Sequence, residues 1–244
     1  VKLASRLKKT ILDTLFPVSC LSCDKEEIWI CRNCLEKIAL NKQQFCAYCE
    51  NTTTLGGILC HSCREQGKSH IDGLITAASF ENPLVKKAVF NLKYRFVEDL
   101  AYPLSQILLK VILKNDVPLP KYIVPVPLHR RRLRWRGFNQ SRLLAECLSA
   151  GLAPPMNVGI LDALERTKHK KPQMEIKKYR DRLANAAGIF SLKADPAKIK
   201  NARILLVDDI ATTGATLQEC AKVLKAAGAS RVFAAVIARQ TLKK

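Results

Sequence analysis

The chain has 244 residues, 48% of them hydrophobic, enough for one large domain or one large and one small. Lysine and arginine outnumber aspartate and glutamate 41 to 21, a formal charge of +20 that points to polyanionic ligands, nucleic acid or anionic lipid. No run approaches the roughly 18 apolar residues of a membrane-spanning helix, and the first stretch lacks the apolar core of a secretion signal.

The charge is uneven: residues 1–70 carry ten basic and seven acidic side chains, and residues 71–244 carry 31 and 14. Residues 2–16 read as a basic amphipathic helix, with Leu3, Leu7, Ile11 and Leu15 at helical spacing. That helix could lie on a membrane surface or pack on the rest of the chain.

Eight of the ten cysteines then fall in four C-x-x-C pairs: Cys20/Cys23, Cys31/Cys34, Cys46/Cys49 and Cys60/Cys63. Each pair can present two thiolates, and two pairs complete a tetrahedral Zn²⁺ site, so about two structural zinc ions are expected. Neighbouring and crossed pairings both fit the spacing. Redox chemistry is the rival use of C-x-x-C, and four copies at ribbon spacing argue against it. A reducing cytoplasm is the compartment that fits. The stretch is poor in large apolar residues, so metal binding supplies its folding energy. Domain limits of 1–70 and 71–244 follow.

Residues 73–80 read as a strand, and Pro83 opens a helix ending in Lys93-Tyr94-Arg95. A longer helix carries Leu100, Leu104, Ile107, Leu108, Val111 and Ile112. Tyr122 to Leu128 reads as a short strand broken by prolines. Residues 129–136 (HRRRLRWR) are expected to be a loop whose five arginines form an anion site, with no acid between Asp116 and Glu146. A helix is expected from about Phe138, and a strand over 159–165. Arg166 to Arg182 carries eight basic residues and little apolar periodicity, so it reads as a mobile loop running into a short helix. Strands follow near Ile189–Leu192, over 203–207 and over 231–238.

The stretch from Ile204 to Thr216 (ILLVDDIATTGAT) joins an apolar strand to a helix through two acids and a small-residue loop. Loop amides and a helix N-terminus favour an anion, and Thr212, Thr213 and Thr216 add hydroxyl donors. Gly214 permits close backbone approach. No G-x-x-x-x-G-K-[ST] is present, so this is not a Walker loop. Asp208 and Asp209 can accept hydrogen bonds from vicinal hydroxyls of a sugar.

Strand, two acids and T-T-G-x-T resemble the phosphoribosyl pyrophosphate (PRPP) motif of type I phosphoribosyltransferases. With the C-x-x-C ribbon, Leu92-Lys93-Tyr94, Val124-Pro125-Val126-Pro127, Arg132, the Arg136-Gly137-Phe138-Asn139-Gln140 block, and Pro172, Gln173, Arg182, Asn185 and Phe190, the chain resembles the ComF family over nearly its whole length. Lys170 stands where that family usually has threonine. The resemblance implies an α/β fold, a type I phosphoribosyltransferase-like parallel sheet flanked by helices, with a small N-terminal zinc-ribbon domain. It implies PRPP binding by Asp208, Asp209, Thr212, Thr213, Gly214, Ala215 and Thr216, with the ribose on the two acids and the 5′-phosphate on 212–216. Pro127, Leu128, His129, Arg132 and Arg136 would form the pyrophosphate loop. Arg166, Lys168 and Gln173 would belong to a mobile loop that closes over the site.

The implied role is natural transformation: moving incoming single-stranded DNA into the cytoplasm beside a ComFA-type helicase, in the cytoplasm or peripherally at the inner membrane. DNA contacts are expected from Arg130, Arg131, Arg134 and Trp135, with Tyr179 a further stacking candidate. The second function class is a working phosphoribosyltransferase of nucleotide metabolism, amidophosphoribosyltransferase-like, with Mg²⁺ bridging the phosphates of PRPP.

Overall fold

The computed structural model describes residues 18–67, 69–115, 117–152, 158–168 and 187–240. The basic helix over 2–16 lies outside the described residues, as do Pro172, Gln173, Tyr179, Arg182, Asn185 and most of the 166–182 loop. Two short strands, β1 (Gln44–Phe45) and β2 (Thr53–Thr54), form an antiparallel pair among the cysteines. The central sheet is wholly parallel. Its order is β3 (Gly73–Ser79), β9 (Arg231–Arg239), β8 (Arg203–Ala211), β4 (Tyr122–Pro125) and β5 (Gly159–Ile160). A separate antiparallel pair joins β6 (Leu164–Arg166) to β7 (Phe190–Leu192).

The alternation of side chains along each strand builds two cores. Ile75, Ile123, Leu205, Val207, Phe233 and Ala235 face a layer made of the helices Pro83–Tyr94, Ala101–Lys114 and Gln140–Leu152. Leu74, Val124, Ile204, Leu206, Val232 and Ala234 face the helix Ala215–Ala226, whose Leu217, Cys220, Ala221 and Leu224 are buried. Apolar residues at both parities explain why these strands read as continuous hydrophobic runs. Pro83 occupies the first helical turn, and Asn82 caps it by accepting the amides of Leu84 and Val85.

The cysteine-rich segment packs onto this sheet. Cys20, Ile30, Cys31, Cys34 and Ile38 share the core of the three-helix layer. The open edge of β3 is covered, as sheet edges must be to avoid pairing with other chains. Leu40 and Ile58 bridge Ala78 and Gly73. The Gln44 side chain then stands in for a neighbouring strand: its Oε1 accepts the Thr76 amide at 2.9 Å and its Nε2 donates to the Thr76 carbonyl at 3.2 Å. Gly57 is required there, because a Cβ would lie 2.1 Å from the Leu74 carbonyl oxygen.

Several expected elements change shape. The arginines at 130–136 are not a loop but a helix, Arg130–Arg136. The ring nitrogen Nδ1 of His129 accepts the Arg131 amide, and Gly137 at φ 86° ends the helix. The following helix starts at Gln140, not near Phe138. The 159–165 region is two strands in different sheets, not one. β8 runs to Ala211, so both acids lie within the strand end rather than after it. The short helix Pro196–Ile199, capped by Asp195, had no apolar period long enough to announce it.

Candidate functional site

The C-terminal ends of β4 and β8 open into one cleft, where open parallel sheets place their ligands. One wall carries the two acids. Asp209 is 2% exposed; its Oδ1 accepts the Ile210 amide at 2.7 Å, and its Oδ2 lies 2.9 Å from Lys93 Nζ. Asp208 Oδ1 accepts the Ser141 hydroxyl at 2.8 Å and the Asp209 amide at 2.9 Å. Burial, then the neighbouring Asp209 charge, pushes the Asp208 carboxyl up to about 7; Lys93, Ser141 and the Asp209 amide oppose that rise.

The cationic side of the cleft brings together Arg132 and Arg136 of the arginine helix with Arg166 at the end of β6. Arg136 is buried and donates to Gln140 Oε1. Burial lowers the pKa of Arg136, and burial together with the Arg132 charge lowers that of Arg166. Arg132 Nη2, Arg136 Nε and Arg166 Nε are buried without a hydrogen-bond partner among the described residues. Buried guanidinium donors left this way are costly, and an anion would satisfy them.

The turn after β8 completes the cleft. Gly214 adopts φ 72°, which glycine alone adopts without strain, and caps the helix Ala215–Ala226. Thr212 and Thr216 line the cleft. Thr213 is buried, and its hydroxyl accepts the Ala215 amide at 3.3 Å, so it braces the turn. The helix N-terminus presents amides and a partial positive charge to this end of the cleft. Pro127 and Leu128 form its floor with Val126, whose carbonyl accepts Asn139 Nδ2 at 3.0 Å.

Other expected residues fall elsewhere. His129 caps the arginine helix, and Lys168 is exposed and outside the cleft lining. Arg130, Arg131, Arg134 and Trp135 are exposed and do not line the cleft. Gln173 lies outside the described residues. Reading the residues for chemistry passed over Lys93, Tyr94, Gln140 and Ser141. Lys93, Tyr94 and Gln140 stood in the segments that carried the family resemblance, and Ser141 follows directly. Phe80 and Gln240 also line the cleft and had no sequence signal.

The cysteines form two groups of four, Cys20/Cys23/Cys31/Cys34 and Cys46/Cys49/Cys60/Cys63, each with its sulfurs within 4.8 Å of one another. The pairing is thus between neighbours. Sulfurs of Cys23 and Cys31 are 3.6 Å apart, and those of Cys49 and Cys60 are 3.9 Å apart. A tetrahedron with 2.3 Å zinc–sulfur bonds has edges of about 3.8 Å, whereas a disulfide needs about 2.05 Å. Backbone amides of Cys31 and Cys60 point at the sulfurs of Cys20 and Cys46. Hydrogen bonds from Cys23 and Cys31 hold Cys34 up to about 12; burial is the largest influence on Cys20 and raises it, but amide donors from Cys31, Cys23 and Ser22 together with the Cys23 thiol bring it down to about 6. Four thiols at this spacing ionise together only around a cation, and this donor set could hold a Zn²⁺ ion in each group.

Among the described residues no helix is long and apolar enough to cross a membrane. The family described as phosphoribosyl transferase domain matches residues 144–243. Competence protein F of Haemophilus influenzae is 28% identical over 206 residues, 83% of this chain and 87% of the relative. The DNA utilization protein YhgH of Escherichia coli K12 is 31% identical over 221 residues, 84% of this chain and 92% of the relative. Competence protein ComFC of Bacillus subtilis is 29% identical over 199 residues, 80% of this chain and 77% of the relative. Over these shares of both chains, and with its parallel sheet, phosphoribosyltransferase domain and paired cysteine clusters, the chain belongs to the ComF family.

Proposed function

We propose that this protein binds PRPP in the cleft and acts in natural transformation, in the uptake of single-stranded DNA into the cytoplasm. The observation that carries the PRPP reading is the pairing, across one cleft, of the Asp208–Asp209 wall with three arginines that each bury one nitrogen without an acceptor among the described residues. The acids accept the ribose hydroxyls. Arg132, Arg136 and Arg166 take the pyrophosphate. The Thr212–Thr216 turn and the helix behind it take the 5′-phosphate. A Mg²⁺ ion bound with PRPP would neutralise part of its phosphate charge.

The DNA part of the reading is supported by the printed names of the relatives, which speak of competence and DNA utilization, and by the +17 charge on residues 71–244. A ComFA-type helicase at the inner membrane is the partner that reading calls for. The test is calorimetric titration of the purified protein with PRPP and, separately, with single-stranded DNA, followed by pyrophosphate release in the presence of candidate acceptors. Saturable binding of both without pyrophosphate release supports an assembly protein. Pyrophosphate release with one acceptor makes it a transferase, and no PRPP binding removes the reading of the cleft.

A further inference from the structure

The arginine helix has two chemically different faces. Arg132 and Arg136, four residues apart and so on one face, line the cleft. Arg131, Arg134 and Trp135 are exposed and do not line the cleft, with Trp135, three residues after Arg132, at the border between the two faces. Arg131 and Arg134 form no ion pair among the described residues, and Arg130 has only a loose one, 4.0 Å from Glu165.

This outer face carries aromatic surface that folding does not use. Trp135 is 60% exposed, and the ring of Phe96, a residue 41% exposed, meets its ring edge-to-face with centroids 5.0 Å apart. Phe96 adopts φ 59°, a strained backbone for a bulky residue, which costs on the order of 1–3 kcal/mol. That strain holds a large apolar ring half in water, so it does not serve the core. In the helix just before Phe96, Phe90 and Tyr94 form a second exposed ring pair at 5.0 Å, and Tyr94 reaches the cleft lining. Arg95 is exposed between Tyr94 and Phe96.

We propose that Phe96 and Trp135, flanked by Arg131, Arg134 and Arg95, form a stacking platform for the bases of a single-stranded nucleic acid, separate from the PRPP cleft. The inference rests on the DNA reading above and adds where the strand runs. Two exposed rings among cations match a strand whose bases are unstacked and whose phosphates need neutralising. A duplex keeps its bases stacked and offers these rings nothing. None of Phe96, Trp135, Arg131, Arg134 and Arg95 lines the cleft, so strand and PRPP bind at once.

The test uses the full chain with Trp29→Phe, which leaves Trp135 the one remaining tryptophan. Its fluorescence is followed on titration with oligo-dT and with inorganic polyphosphate of equal charge. The expected result is quenching by oligo-dT alone. Trp135→Ala and Phe96→Ala each lower oligo-dT affinity roughly five- to 150-fold, the range for one stacked base, with PRPP affinity unchanged. Arg131→Glu with Arg134→Glu lowers affinity for both polyanions and flattens the salt dependence. Equal binding of oligo-dT and polyphosphate, with no effect of Trp135→Ala, overturns the platform and leaves a purely electrostatic DNA site. No oligo-dT binding, with Trp135 instead shielded by anionic vesicles, overturns the nucleic-acid assignment altogether. Neither outcome touches the PRPP reading, which is measured in the same variants.

Discussion

Lys93, at the end of the helix Pro83–Tyr94, places its ammonium 2.9 Å from a carboxylate oxygen of Asp209, a residue 2% exposed at the end of β8. Two charges this deep are held by each other, and removing one strands the other. Lys93→Met is therefore expected to cost about 3 kcal/mol in urea unfolding. The double variant with Asp209→Asn is expected to recover most of that loss, the signature of a coupled pair. Lys93 also opposes the rise in the Asp208 pKa, so its loss moves the Asp208 titration upward, as carboxyl NMR would report. Additive effects of the two substitutions would remove the coupling.

Asp208 sets a second, pH-dependent expectation. Burial first, then Asp209, raises its folded value to about 7, above the unfolded carboxylate value of about 3.9. Between those values the folded state holds a proton that the unfolded state has released, so stability falls as pH rises from about 4 to about 7. Asp208→Asn removes that slope. Cations delivered with PRPP favour the ionised form, so binding near pH 6.5 is expected to release a proton. Calorimetry in two buffers of different ionisation enthalpy measures it, and equal proton release by wild type and Asp208→Asn would assign the proton to the ligand instead.

The segment that carries the second cysteine group is tied to the turn after β8 through Arg239. Glu50, held at φ 63° immediately after Cys49, reaches Arg239 at 2.8 Å. The Arg239 guanidinium lies 3.9 Å from where a Cβ on Gly214 would stand, so it backs the turn proposed to hold the 5′-phosphate. Glu50→Gln is expected to weaken PRPP binding about fivefold, on the order of 1 kcal/mol, with metal content unchanged. Unchanged affinity would show that the turn is set without Arg239.

Metal removal has a local readout. Elemental analysis is expected to find about two zinc ions per chain, one for each group of four thiolates. Chelation frees the segment that holds Gln44, whose side chain accepts the Thr76 amide of β3. Hydrogen exchange at Thr76 should accelerate on chelation well before that of Leu206 in the middle of β8. Simultaneous loss of protection at both would mean that the sheet has no stability apart from the metal sites.

How much of this was legible in the sequence depended on distance along the chain. The cysteine groups and the Asp208–Thr216 segment are local patterns, and their grouping and their place at a strand end could be read directly from spacing. The apolar strand before the two acids and the helix after the loop were equally visible. Lys93 follows β3, Ser141 follows β4 and Arg166 ends β6, so they reach the acids or face them only through the tertiary fold, and no local pattern records that arrangement. The arginine segment misled for a physical reason: about two turns rich in arginine have no apolar period, yet His129 and Gly137 supplied the caps that make it a helix. That helix is what separates the inward Arg132 and Arg136 from the outward Arg131, Arg134 and Trp135, a division a loop would not impose.

The central claim is that one cleft holds both ends of PRPP, and calorimetric titration with Mg²⁺–PRPP, pyrophosphate and ribose 5-phosphate addresses it directly. PRPP is expected to bind more tightly than either fragment. Arg132→Met is expected to weaken PRPP and pyrophosphate together by about tenfold or more, the loss of a charge-assisted contact, and to leave ribose 5-phosphate unchanged. Equal PRPP affinity in Arg132→Met and wild type, or PRPP binding no tighter than pyrophosphate alone, would contradict the claim.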